Sequence, residues 1–332
     1  MQIRKELYKL KKKLWNKLSI LCYHRVENRD ADPINITVGT HNFSEQIEWL
    51  KKSTNIITPL EFEKILMERK HFPKRSVLLT FDDGYSSYEN TMSTLKENSI
   101  SAVFFISTPK KQFYWDLLLE KLILPKKILE KDFEVFNSIL ATLNQNIKIE
   151  QFLNEKSLKI IKTWKLPSTS FPFERCKAFS IIINKIETQN PFKNNSVYRK
   201  INKINNMTKN FDYLISKPEL INYHTIGSHT SNHFNLNSLN PIQQKNQISK
   251  NKKKLEKYLK RRIRFFAYPY GSRTHYNKHS IELAKKYFKF SFSNFKGNVH
   301  KDSNHFEIPR FLVRDWNIDK FKVKLESFIA NK

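Results

Sequence analysis

The run Ser76-Val77-Leu78-Leu79-Thr80-Phe81 ends abruptly in two adjacent carboxylates and a glycine, Asp82-Asp83-Gly84. A short, unbroken apolar run of this kind predicts a strand buried on both faces, the sort found in parallel sheets covered by helices. Gly84 permits a sharp turn immediately after it. Two acids at the mouth of a buried strand need a positive partner, or one of them must carry a proton. A metal ion meets that need. The alternative is a solvent-exposed Asp-Asp-Gly turn.

A second apolar-to-glycine transition, Ile226-Gly227-Ser228, leads into His229 and His233, four residues apart. A helical turn beginning near Ser228 would set both imidazoles on one face, with Cβ atoms about 5–6 Å apart. That spacing suits two nitrogen ligands of one ion, and adding a single carboxylate leaves coordination positions open for chemistry. The alternative is an incidental surface pair.

Three stretches together resemble the polysaccharide deacetylases, the NodB-type domain of carbohydrate esterase family 4. Thr80-Phe81-Asp82-Asp83-Gly84-Tyr85 matches the family's first motif, His229-Thr230-Ser231-Asn232-His233 its second, and Phe266-Ala267-Tyr268-Pro269-Tyr270-Gly271 is similar to its third. They occur in the family's order over roughly Leu18 to Trp316. The resemblance implies a distorted (β/α) barrel with its site at the carboxyl ends of the strands. It implies that Asp83, His229 and His233 hold a divalent metal, with Zn²⁺ expected, that Asp82 is the general base, and that a backbone N–H near Tyr270 meets the oxyanion. Many members begin with a segment similar to Tyr23-His24-Arg25-Val26. In these, the first strand's histidine stands where others use a carboxyl-terminal Leu-x-x-His. No such motif occurs near this carboxyl terminus, so the resemblance makes His24 the general acid. Read without the family, a histidine at that strand end is a satisfied core residue.

The chain also departs from the family. Ala267 stands where members often carry an arginine that, through an aspartate, orients the base. Arg310 is read as a surface ion pair, with an equivalent charge beside the base as the alternative. Asp315-Trp316 looks like a further motif but lies late in the chain.

Strands alternating with helices argue for parallel β/α architecture. Ser19–His24, Ser101–Ile106, Phe265–Tyr268, Phe290–Asn294 and Glu307–Val313 read as strands. Asn42–Leu50, a segment opened by Thr58-Pro59, Tyr88–Glu97, Gln244–Lys260 and His279–Lys289 read as helices. Between about residues 110 and 216 the pattern changes to helical stretches at Leu129–Leu143, Ile149–Ile161 and Phe173–Ile186. A structureless loop that long is implausible, so it reads as a helical insertion in a catalytic domain of residues 18–320. Phe113, Tyr114 and Trp115 at its start are rings suited to sugar faces, though core packing accounts for at least two of them.

Residues 1–17 form an expected basic amphipathic helix, with Leu7, Leu10 and Leu14 at helical spacing among Arg4, Lys5, Lys9, Lys11, Lys12, Lys13 and Lys17. It suits an anionic membrane surface, or packing on the domain with solvated lysines. Charges interrupt it throughout, unlike a signal peptide, and no stretch reaches membrane-span length, which sets an expectation of the cytoplasm or the inner membrane face. The net charge of +29 favours polyanions, but no nucleic-acid-binding fingerprint accompanies it. Cys22 and Cys176 lack metal spacing and read as free thiols. The expected activity is removal of an N-acetyl group from an amino sugar of a polysaccharide or lipid-linked precursor. The alternatives are a hydrolase of small non-glycan amides on the same site, or a silent basic module that binds glycan or membrane.

Overall fold

The computed structural model describes residues 16–109, 112–193, 196–205 and 217–330; residues 1–15 of the expected basic helix lie outside them. The chain divides into two compact units. One holds residues 16–28, Ile36–Thr108 and 217–330, and the other holds Arg29–Asn35 and the described part of 109–212.

The first unit contains strands β1 (Leu18–Tyr23), β2 (Arg25–Val26), β3 (Thr37–Val38), β4 (Asn55–Ile56), β5 (Ser76–Phe81), β6 (Val103–Ile106), β7 (Thr225–Ser228), β8 (Phe265–Ala267), β9 (Phe290–Phe292) and β10 (Phe311–Leu312). The main sheet runs β10-β1-β5-β6-β7-β8-β9, with β4 also on β5, and every pairing is parallel. Its two ends meet. Ile308 bridges Phe292 in parallel, and the Ser293 N–H donates to the Ile308 carbonyl at 2.8 Å. The sheet thus curls into the distorted barrel. The same bonds explain why β10 is shorter than the strand expected over Glu307–Val313: Ile308 and Arg310 are engaged by Ser291, Ser293 and Phe295 instead.

Period-two alternation aims Leu18 and Ile20 of β1, Leu78 of β5, Val103 and Phe105 of β6, and Phe290 and Phe292 of β9 into one buried cluster. The helix Pro59–Met67 plugs that cluster with Phe62, whose ring lies 5.4 Å from Phe290 and 5.6 Å from Phe292. The helix starts where the sequence predicts. The Thr58 hydroxyl accepts from the Glu61 N–H, the Glu61 carboxylate accepts from the Thr58 N–H at 2.7 Å, and Pro59 takes the first position.

The second unit carries helices Tyr114–Leu118, continued to Ile123 in a wider turn, Glu130–Thr142, Glu155–Thr163, Glu174–Thr188 and Ser196–Asn205. The third starts later than the expected Ile149 because the residues before its Asn154 cap pair backwards: Ile128 donates to Gln151 and Leu153 to Lys126. Phe113 and Trp115 are buried and stack at 4.5 Å, as core packing requires. Both cysteines are buried free thiols.

Candidate active site

The alternation that fills the barrel also builds the site. Cys22 and His24 continue the inward parity of Leu18 and Ile20, and Thr80 and Asp82 continue that of Leu78. β1 and β5 are in register, Tyr23 opposite Phe81, so His24 and Asp82 leave neighbouring strands side by side. Cys22, His24 and Asp82 each offer an atom within 4.8 Å of the others, and the Cys22 thiol donates to Asp82 Oδ2 at 3.6 Å.

Arg310 corrects the sequence reading. It is buried, not a surface pair, and its guanidinium grips Asp82 with both arms: Nη1 to Oδ1 at 2.7 Å and Nη2 to Oδ2 at 2.6 Å. Its Nη1 also donates to Thr80 Oγ1 at 3.1 Å and its Nε to the Ser293 carbonyl at 2.8 Å. A planar fork held at four points fixes the carboxylate as a lysine cannot. The charge missing at Ala267 is thus present, brought from the segment that closes the barrel.

Asp83 leaves the strand rather than alternating along it. Its backbone is left-handed (φ 89°) and so is that of Gly84 (φ 92°), where a Cβ would come within 2.9 Å of Ile106 Cγ2. The turn, not strand alternation, separates the two carboxylates. Asp83 Oδ1 lies 3.2 Å from His233 Nε2 and 3.4 Å from His229 Nε2. The ligand-type atoms of these three residues all fall within 4.8 Å of one another. All three residues are buried, and Asp83 Oδ1 and His229 Nε2 have no hydrogen-bond partner in the protein. Enclosed polar atoms left in that condition are costly, and one carboxylate with two imidazoles is a donor set that a divalent cation relieves. The residues present fit such an ion.

The helical turn expected at Ser228 does not form. The histidines sit on a loop in which Thr230 (φ 65°) and His233 (φ 54°) are left-handed, closed by the His233 N–H donating to Thr230 Oγ1 at 3.1 Å. The hydroxyl residue after the first histidine thus sets the second. The helix Pro241–Leu259 holds this loop from outside. Asn251, fully buried, accepts from the His229 N–H at 3.1 Å and from Ser228 Oγ, and donates to the Ile106 carbonyl and Thr108 Oγ1, each at 3.1 Å. Gln247 accepts from the Asn232 N–H at 2.9 Å. The Ala267 carbonyl accepts from His229 Nδ1 at 2.8 Å, so Nε2 is the nitrogen facing Asp83. Sequence reading missed Asn251 and Gln247. Their signal was polar residues on the stripe Gln244, Gln247, Ile248, Asn251, Leu255, the buried face of an otherwise basic helix.

Electrostatics divide the two acids by partner. Burial works to raise Asp82, but Arg310 and then His229 outweigh it and hold the carboxyl below its ordinary range. Burial opposes ionisation of Asp83 too, yet His233 and His229 hold it well below. Burial pushes the Cys22 thiol well up, so it is a neutral donor. Burial lowers His24, against the pull of Asp83 and Asp82, and its Nδ1 is enclosed without a hydrogen-bond partner. Tyr270, left-handed at φ 60°, lays its ring against His233 at 4.7 Å. Asp315 lies elsewhere: its carboxylate accepts from the Gly39 N–H at 3.0 Å and from Asn42 at 2.6 Å, fastening the start of the helix Thr40–Ser53.

With this geometry in hand, three similarities follow. The family model for polysaccharide deacetylase matches residues 69–122 and 192–288, which contain Asp82, Asp83, His229 and His233 but not His24 or Arg310. A poly-beta-1,6-N-acetyl-D-glucosamine N-deacetylase of Staphylococcus epidermidis is 36% identical over 109 residues, covering 28% of this chain and 37% of that protein. The aligned part thus spans little more than a third of that relative's length. Among solved structures, Streptococcus pyogenes deacetylase PplD in complex with acetate aligns with a TM-score of 0.53 at 15% identity, over 94% of this chain and 98% of that one, a likeness of fold.

Proposed function

We propose that this chain, a member of the polysaccharide deacetylase family, is a metal-dependent hydrolase that removes an N-acetyl group from an amino sugar of a polysaccharide or lipid-linked precursor. One observation carries the reading: Asp83, His229 and His233 aim enclosed ligand atoms at one point beside an aspartate gripped by a buried arginine. The name of the Staphylococcus epidermidis relative supports an N-acetylated glycan as substrate.

Asp83, His229 and His233 would hold the ion, with Zn²⁺ the expected species from the mixed nitrogen and oxygen donors. When bound, it polarises the amide carbonyl and acidifies water. Asp82, ionised and kept from turning by Arg310, takes the proton of the attacking water. The backbone N–H at Tyr270 meets the oxygen on which negative charge develops. His24 gives a proton to the departing amine nitrogen, so the products are acetate and a free amino sugar. Its lowered pKa makes the protonated imidazole a stronger donor.

The test is acetate release from N-acetylglucosamine oligomers by metal-loaded protein. Release that is lost on chelation, restored by Zn²⁺, and absent in metal-bound Asp82→Asn is the expected result. Loss of metal together with activity in that variant would make Asp82 a ligand and undo its role. The same reading has the chain working in the cytoplasm or on the inner membrane face, its basic amino terminus against anionic lipid. Salt-sensitive sedimentation with anionic liposomes, lost on removing residues 1–18, checks the membrane contact, and fractionation checks the location.

A further inference from the structure

Of the two cysteines, Cys22 stands at the site: it is the inward residue of β1 next before His24, and its thiol faces Asp82. The proposed reaction asks nothing of a thiol. Yet Cys22, His24 and Asp82 form a second cluster, apart from Asp83, His229 and His233, whose ligand-type atoms all lie within 4.8 Å of one another.

The spacing of this cluster fits an ion. A tetrahedral Zn²⁺ with a sulfur at about 2.3 Å and a carboxylate oxygen at about 2.1 Å sets those two atoms about 3.6 Å apart. Cys22 Sγ and Asp82 Oδ2 are 3.6 Å apart. The thiol proton lies between them, and a metal that displaces it leaves the sulfur as thiolate. Asp82 Oδ2 already accepts from Arg310 Nη2, but a carboxylate oxygen has a second lone pair to give. His24 supplies the third donor. It is the member of the three with part of its surface exposed, and its Nδ1 is enclosed with no hydrogen-bond partner in the protein.

Two features make this cluster weaker than the first. The guanidinium of Arg310 is a fixed positive charge against Asp82. Asp82 Oδ2 also lies 4.0 Å from His229 Nε2, so an ion in one cluster repels an ion in the other. Softness works the opposite way: a thiolate favours Zn²⁺ and Cd²⁺ over Mg²⁺ or Mn²⁺.

We propose that Cys22, His24 and Asp82 form a second, inhibitory site for a thiophilic divalent cation, Zn²⁺ or Cd²⁺. An ion there ties up the base and the acid together, so Zn²⁺ supports turnover at one equivalent and suppresses it in excess. That effect on turnover rests on the proposed function; the binding site does not.

Titration of metal-free full-length protein with Cd²⁺ tests the site, because a cadmium thiolate adds an ultraviolet charge-transfer band that nitrogen and oxygen ligands do not. Wild type should show the band and bind one Cd²⁺ more than Cys22→Ser, while Cys176→Ser should keep both. Cys22→Ala repeats the comparison without a hydroxyl beside Asp82. His24→Ala should weaken the band-forming site by at least the roughly tenfold that loss of an outer partner costs. No band in wild type, a band that Cys22→Ser retains, or an affinity that His24→Ala leaves unchanged overturns the site. Acetate release gives the second readout. Excess Zn²⁺ should depress it in wild type, and Cys22→Ser, measured against its own maximum, should need about tenfold more Zn²⁺ for half-inhibition. Equal half-inhibition overturns the inhibitory role. Where wild type releases no acetate at any Zn²⁺ level, the proposed function fails and the cadmium band still decides this site.

Discussion

At the scale of single residues, the site is a division of labour between two carboxylates that are neighbours in sequence. Asp82 is held by a cation and Asp83 faces two imidazoles, and the difference comes from the two left-handed residues, Asp83 and Gly84, at the strand's end. Removing Arg310 leaves Asp82 a buried charge without its fork. Arg310→Met should therefore lower stability by about 3–5 kcal/mol in thermal or denaturant unfolding. The loss should be much smaller in an Asp82→Asn background, because the two groups form one network. Additive losses would show that the pair is not coupled. His24→Ala should keep metal and lose roughly 10²–10⁴-fold in amide turnover, since an amine cannot leave without a proton. An activated ester needs no such proton and should lose far less; equal losses on both substrates would count against His24 as the acid.

At the scale of elements, the loop that carries His229 and His233 is shaped by what grips it. The helix Pro241–Leu259 reaches through Asn251 to Ser228, His229, Ile106 and Thr108 at once. Asn251→Leu should keep the helix yet loosen the loop, lowering metal affinity about 10–100-fold in a competition titration. Unchanged affinity would assign Asn251 to packing alone. Much of this frame was legible in the chain. Short apolar runs gave the parallel strands, Thr58-Pro59 gave a capped helix, and the Asp-Asp-Gly and His-x-x-x-His segments supplied residues that the fold brings together. What was not legible depends on contacts across the barrel. Nothing near Arg310 in sequence says that its segment closes the sheet and delivers the guanidinium to Asp82, 228 positions away. The histidine spacing suggested a helix because four residues make a turn, but left-handed backbone at Thr230 and His233 brings the rings together on a loop.

At the scale of the whole molecule, stability and function meet at pH. His224 is buried beside β6, with its Nε2–H donating to the Met92 carbonyl at 3.0 Å and its Nδ1 accepting from the Ala102 N–H at 3.3 Å. Protonation would turn that acceptor into a second donor facing an N–H, and burial lowers its pKa from 6.5 to about 4. The unfolded chain takes up the proton near the ordinary value and the folded chain does not. Stability should be full above about pH 6.5, fall by up to about 3 kcal/mol as the pH drops to about 4, and level off below. His224→Gln should remove that component from the unfolding profile; an unchanged profile would place the acid sensitivity elsewhere. In the proposed function Asp83, His229 and His233 are ligands of one ion. Elemental analysis of protein dialysed against trace Zn²⁺ tests it most directly. One metal per chain is expected in wild type and in Asp82→Asn, and nearly none in His229→Ala. Equal metal content in wild type and His229→Ala would contradict it.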